Sequence, residues 1–390
     1  MRFIASVIAA VCIGNGAAAQ GCGGSFSNFV EGLKTEARTQ GFDNQTINQF
    51  FATVQKDDDV LRADRRQGVF QKDFISFSRA LISQNRIDNA AFYSQRNDST
   101  FRQIEREFGI PRGVILAFWA FETDFGQVQG DFNTLNALAT LAHDCRRPEL
   151  FRPQIFAALE LFQRGDFDPA RTTGAWAGEI GQVQMLPGDI IENGRDGDGD
   201  GHVDLKGSSA DALLSGAQVL ASLGWRPNEP WLQEIRVPNS LDWLETGLNH
   251  KRPVRDWARL GVEARNGTLG PANLEASVLL PMGRNGPAFL AYPNFDVYFE
   301  WNQSMVYVTT AAYFGTRIMG APVYDPGNPS PALSGEEIMS LQRKLAQHGH
   351  DVGGIDGIMG AKTRDAIQAE QQRLGLPADA WPTHALLERL

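Results

Sequence analysis

Between Val114 and Phe121 the chain reads Val-Ile-Leu-Ala-Phe-Trp-Ala-Phe, with no polar residue. A helix that is apolar on every side has to be enclosed, so the rest of the fold must supply its walls. Pro111 suits the first turn of such a helix, where its missing N–H costs nothing. The preceding stretch, Phe101–Phe108, reads as a helix that stops at Gly109. Glu122 ends the apolar run, and Gly126 breaks the helix shortly afterwards. At 390 residues the chain is long enough to enclose this helix and still carry a small extra domain.

Glu122 therefore sits at the C-terminal end of a buried helix. Desolvation disfavours its charged form, and the negative end of the helix dipole acts in the same direction. Both favour a protonated carboxyl group, which a general acid requires. The competing reading is an ordinary solvated helix end.

The other segments arrange themselves around this helix. Phe26, Phe29, Val30 and Leu33 recur at helical spacing, as do Ile47, Phe50, Phe51 and Val54, and Asp73–Ile82 looks similar. These predict a helical N-terminal layer without chemistry of its own. Further helices are predicted over Leu135–Ala142, Leu150–Arg164, Ala210–Leu223 and Met305–Ile318, with short strand-like runs from 251 onward. Ala321–Ser334 holds Pro322, Pro326, Pro329 and Pro331 and reads as a linker across which few contacts should pass. Residues 335–390 form a unit of their own. Ser334 followed by Glu337 is a capping box; Ile338, Leu341 and Leu345 keep helical spacing; Asp356-Gly357 marks a turn; and Gly375 closes a helix running from about Lys362.

Residues 1–19 begin Met-Arg, continue through an apolar run from Phe3 to Ile13, and end Ala17-Ala18-Ala19. This is a secretory signal pattern with cleavage expected before Gln20. The run is short for a bilayer span, and no later segment is apolar enough to be transmembrane. Export, to the periplasm of a Gram-negative cell, is the expectation. Cleavage removes Arg2 and no acidic residue, so the formal charge goes from −10 to −11. That argues against nucleic acid as a partner. Cys22 and Cys145 remain after cleavage, an even pair that an oxidising compartment permits to bond; two buried thiols are the alternative.

Phe121-Glu122-Thr123-Asp124-Phe125-Gly126 resembles the catalytic Glu-Thr-x-x-Gly segment of the lytic murein transglycosylase B family. Asn136-Ala137-Leu138-Ala139-Thr140-Leu141, Arg146-Arg147-Pro148-Glu149-Leu150-Phe151, Gly174-Ala175-Trp176-Ala177-Gly178 with Gly181 and Gln184-Met185-Leu186-Pro187, Pro293-Asn294-Phe295, and Trp301-Asn302-Gln303-Ser304 with Tyr307 follow that family's order. The resemblance covers about residues 25–320. It implies a mainly α (α+β) chain with a lysozyme-like catalytic core, a helical N-terminal layer and a small β element. The tail, with Gly353-Gly354-Ile355-Asp356-Gly357 at its centre, resembles a small three-helix peptidoglycan-binding module. The implied division is signal peptide 1–19, catalytic domain 20–320, linker 321–334 and binding domain 335–390.

By the same resemblance Glu122 is the single acid/base of a lytic transglycosylase. The enzyme would cut the β-1,4 bond between N-acetylmuramic acid and N-acetylglucosamine without water, leaving 1,6-anhydro ends and needing no catalytic cofactor. Gln184, Asn302, Ser304 and Tyr307 are implied substrate contacts. Arg146 and Arg147 would meet a substrate carboxylate, or else form a solvated charge pair. Trp301 stands where the family has Tyr, keeping an aromatic face for sugar stacking but losing the phenol hydroxyl. A hydrolytic muramidase on the same scaffold, which usually needs a second carboxylate, and a non-catalytic wall-binding scaffold are the rivals. Asp124 and Asp131 are the nearest second carboxylates, and i and i+2 on a helix point to different faces.

Asp196-Gly-Asp198-Gly-Asp200-Gly-His202-Val-Asp204 reads as a loop for a structural calcium ion. Asp196, Asp198 and Asp200 would supply carboxylates and His202 its backbone carbonyl. The resembling family closes its loop with a later Asp, and Asp211 is the match. A solvated Asp/Gly turn is the alternative. His348, His350 and His384 lack the spacing of a zinc site. No protein partner can be read from the chain.

Overall fold

A computed structural model describes residues 22–66 and 72–390. The expected signal peptide, with its cleavage point before Gln20, lies outside the described residues.

The apolar run forms the helix Arg112–Thr123, and every residue from Gly113 to Ala120 is buried. Gly109 ends the preceding helix, Asp98–Phe108, in the left-handed region at φ 60°. Pro111 stands one place earlier than expected, capping the helix with extended backbone instead of lying in its first turn. At the other end Asp124, Phe125 and Gly126 follow one another with positive φ, so the chain turns sharply just beyond Glu122.

The main wall of this helix is Met305–Ile318. The two backbones come close because glycines face each other: a Cβ on Gly113 would stand 2.7 Å from the Gly315 carbonyl oxygen and 2.6 Å from Met319 Cγ. Further along, Phe121 stacks on Phe314 with ring centroids 5.1 Å apart. The helices Gln84–Arg96, Asp98–Phe108 and Ser209–Ser222 also pack on it, while Thr134–His143 and Pro148–Arg164 pack on each other within the same core.

The N-terminal layer comprises Phe26–Thr39, Asn44–Phe50, Asp58–Arg65, Phe74–Leu81 and Gln84–Arg96. Ser25, Asp43, Asp57, Asp73 and Ser83 cap these helices with their side chains, each satisfying a backbone N–H in the first turn. Cys22 is bonded to Cys145 just after the helix Thr134–His143, closing a separation of 123 residues. A cross-link over a loop this long removes unfolded-state entropy worth about 4–5 kcal/mol in the chain-entropy account.

Two small sheets are present among the described residues. Phe132–Asn133 pairs with Thr173–Gly174 beside the central helix's end. A five-stranded antiparallel sheet runs in the order Arg252–Pro253, Glu275–Leu279, Phe289–Ala291, Leu232–Arg236, Glu263–Ala264. Its middle strands pair Val278 and Gln233 with Leu290 on either side, and Trp257, Val278 and Leu290 form a core of their own.

The C-terminal unit is three helices, Gly335–Gln347, Ala361–Arg373 and His384–Arg389, around Leu341, Leu345, Ile367 and Leu386. The Ser334–Glu337 capping box is present at its start. The unit is docked, not loosely tethered. Arg364 donates to the Pro281 carbonyl at 2.9 Å, Gln368 to the carbonyls of Trp243 and Thr246, and Arg284 pairs with Asp379 at 3.0 Å. Arg364 is buried, and desolvation lowers its pKa to about 10.

The proline-rich stretch is also packed. Tyr324 is buried against Phe74, Phe289 and Tyr313 and shares a 2.9 Å hydrogen bond with Ser78. The expectation of few crossing contacts fails here. Proline removes backbone donors and helical geometry, but it does not stop an aromatic side chain from inserting into a neighbouring core. Ending the chain after residue 320 should therefore cost on the order of 3 kcal/mol more than ending it after residue 330, because only the first cut empties the Tyr324 site. Thermal or urea unfolding of the two truncated proteins measures the difference.

Candidate active site

Glu122 occupies the last turn of the enclosed helix and is half-buried. Its Oε1 accepts a hydrogen bond from the Trp301 indole N–H at 3.0 Å and another from the Tyr307 hydroxyl at 2.8 Å. Trp301 ends the helix Pro293–Trp301, and Tyr307 lies in the first turn of Met305–Ile318. Trp301 is only 1% exposed and packs on Phe118 at 4.5 Å between ring centroids. It offers no open face to a sugar. This corrects the stacking role expected for it: the indole N–H supplies a hydrogen bond at the position where the family's phenol hydroxyl is absent.

The turn between those two helices is built by Asn302 and Ser304. Asn302 Oδ1 accepts from the Ser304 N–H at 2.9 Å, and Ser304 Oγ caps the next helix by accepting from the Tyr307 N–H. These contacts aim Tyr307 at Glu122. Ser304 serves here as a helix cap.

Thr123 fastens the other side. Its hydroxyl donates to the Gln182 carbonyl at 2.6 Å and accepts from the Gly126 N–H at 2.9 Å. Gly126 has no room for a side chain, since a Cβ would lie 2.7 Å from Gln182 Oε1. Gln182, buried and bonded to Lys206 and Ser209, is a structural member of the site that the sequence reading missed. It lies between two matched motif positions, but its partners are distant in sequence. Gln184 sits in the left-handed region at φ 54°, and its amide donates to the Gly181 and Gln129 carbonyls. Thr123, Gln182 and Gln184 thus join the Glu122 helix end to the loop that runs from Gly174.

The nearest second carboxylates by sequence are Asp124 and Asp131. Asp124 accepts from Arg86 Nε at 3.1 Å, and Asp131 is exposed. Arg146 and Arg147 also stand apart from Glu122: both guanidinium groups converge on the buried carboxylate of Asp64 in the N-terminal layer. They clamp Asp58–Arg65 to the start of Pro148–Arg164, close to the disulfide.

In the acidic loop, Asp196, Asp198 and Asp211 each bring a carboxylate oxygen within 4.8 Å of the others. Asp200 is not in this group. Its carboxylate accepts the His202 N–H at 2.9 Å, as those of Asp196 and Asp198 accept the N–H groups of Gly199 and Asp200. The His202 ring bonds Asp166 at 2.8 Å, and that contact raises its pKa. Asp196 is held below the usual carboxylate range by the N–H groups of Gly201 and Gly199. Asp211 is buried and accepts from the N–H groups of Gly197 and Asp204 and from the Ser208 hydroxyl.

One enclosed helix presenting a carboxyl group, a wall of helices, a small sheet and a separate three-helix unit together define a lysozyme-like enzyme fold. The family described as "Transglycosylase SLT domain" matches residues 25–316, and "Putative peptidoglycan binding domain" matches residues 334–390. The membrane-bound lytic murein transglycosylase B of Escherichia coli is 23% identical over 317 residues, covering 77% of this chain and 86% of that protein. SltB3 from Pseudomonas aeruginosa, solved with NAG-anhNAM-pentapeptide, is 35% identical with a TM-score of 0.86, covering 94% of this chain and 99% of that one. An E. coli lytic transglycosylase solved with calcium shares the fold at a TM-score of 0.64 and 24% identity, covering 78% and 97% of the two chains. The chain belongs to the transglycosylase SLT domain family and is a lytic transglycosylase.

Asp211→Ala should destabilise the protein by on the order of 3 kcal/mol without any added metal, because it strands buried backbone donors. Chemical denaturation in the presence of a chelator isolates that loss from any effect of an ion.

Proposed function

We propose that this enzyme cleaves the bond between N-acetylmuramic acid and N-acetylglucosamine in peptidoglycan, with Glu122 as its only acid/base. The observation that carries the reading is the Glu122 carboxyl group held by Trp301 and Tyr307 while Asp124 is engaged by Arg86. Protonated Glu122 gives its proton to the glycosidic oxygen as the C1–O bond breaks. The substrate's 2-acetamido oxygen stabilises C1, as in substrate-assisted glycosidases. Ionised Glu122 then takes the proton of the C6 hydroxyl as that oxygen closes on C1. The product carries a 1,6-anhydro end, and water is not consumed. Asn302 and Gln184 flank this chemistry as substrate contacts.

Residues 335–390 act as the wall-binding unit, following the catalytic body 20–320 and the proline-rich stretch 321–334. Residues 1–19 direct export to the periplasm. No helix among the described residues is long and apolar enough to cross a membrane. Asp196, Asp198 and Asp211 suit a hard cation with oxygen ligands, and a calcium ion there would be structural.

Glu122→Gln should lower turnover by roughly 10²–10⁴-fold, the usual contribution of a general acid–base group, and leave the melting temperature unchanged. Mass spectrometry of digested peptidoglycan should find anhydro ends; reducing ends would mark a hydrolase, and no fragments a binding scaffold.

Added calcium should raise the melting temperature, since a ligand that binds only the folded state stabilises it by mass action. Asp198→Ala should remove that rise. A melting curve indifferent to calcium and chelator refutes the metal site.

A further inference from the structure

We propose that Trp301 is a positioning residue for the reaction and that, with Tyr307, it confines the catalytic proton of Glu122 to Oε2. The inference rests on the reading of Glu122 as acid/base. Among the described residues, both hydrogen bonds to the carboxyl group end on the same oxygen, Oε1. A protonated carboxyl group has one O–H oxygen and one acceptor oxygen with two lone pairs. Here those two lone pairs face an indole N–H and a phenol O–H. A hydroxyl at position 301 could either donate or accept, and would tolerate a proton on Oε1. An indole N–H can only donate. It cannot stand opposite an O–H, so the proton has one place to sit.

The same contact fixes the direction of transfer. The Oε2–H bond breaks as the proton passes to the glycosidic oxygen, which leaves with the C1–O electron pair. Negative charge spreads over the carboxylate, and the two contacts at Oε1 become charge-assisted and stronger. Oε2 later receives the C6 hydroxyl proton as the C6 oxygen bonds to C1, which restores the starting form. Trp301 is suited to this task because it cannot move aside. It is 1% exposed, closes a helix, and lies against Phe118, a residue of the same enclosed helix that carries Glu122.

The test is the kinetics of Trp301→Phe on soluble glycan fragments. A lost contact to an ionised group should lower kcat by about tenfold or more, with KM held. The alkaline limb of the kcat profile should move to higher pH, because an ionised carboxylate with one donor fewer keeps its proton longer. Trp301→Tyr, which retains a donor, should keep the limb in place. Tyr307→Phe removes the other donor and should move the limb in the same direction as Trp301→Phe. An unmoved limb with a raised KM in Trp301→Phe makes the indole a substrate platform and overturns the proposal. If melting shows that Trp301→Phe does not fold, an unmoved limb in Tyr307→Phe overturns it instead. Retained activity in Glu122→Gln would strike the acid/base reading itself, a distinct outcome.

Discussion

The structure depends on a helix that has no polar face. Arg112–Thr123 can exist in water only if other elements cover it on every side, and the burial of each residue from Gly113 to Ala120 shows the cover to be complete. Its termination follows from the same enclosure. The helix cannot continue through the loop that runs from Gly174, so it stops in three successive positive-φ residues, with Thr123 anchored to Gln182. Glu122 is left at the rim, the first charged side chain after a long apolar run, with Trp301 and Tyr307 against one of its oxygens. A buried apolar helix and a singular carboxyl group are therefore one feature.

Much of this was legible in the sequence, for a physical reason: helix caps and periodic apolar positions are local. Gly109, the Ser334–Glu337 box and the Met305–Ile318 helix could be read from neighbouring residues alone. Glu122 could be singled out because its surroundings within one helix were already unusual. Asp211 came from a motif comparison, and it joins Asp196 and Asp198 in space.

What escaped were pairings across the chain. Trp301 reads as an aromatic surface until its partner, 179 positions away, is known. Arg146 and Arg147 resemble a binding pair because nothing near them in sequence reveals Asp64, which takes both. Tyr324 lies among prolines, where composition speaks of extension and says nothing of what a single aromatic ring will enter. The buried Arg364 at the seam is likewise invisible, since arginines are usually solvated.

The glycine contact between the two central helices works as a spacer gauge. Gly113 meets Gly315 near one end of the pair, and Tyr307 meets Glu122 near the other. Nine residues of helix separate Gly113 from Glu122, about 13 Å at 1.5 Å per residue. Two stiff rods touching at one end hold a set gap at the other. The reach of the Tyr307 hydroxyl is thus calibrated by the absence of a methyl group two and a half turns away.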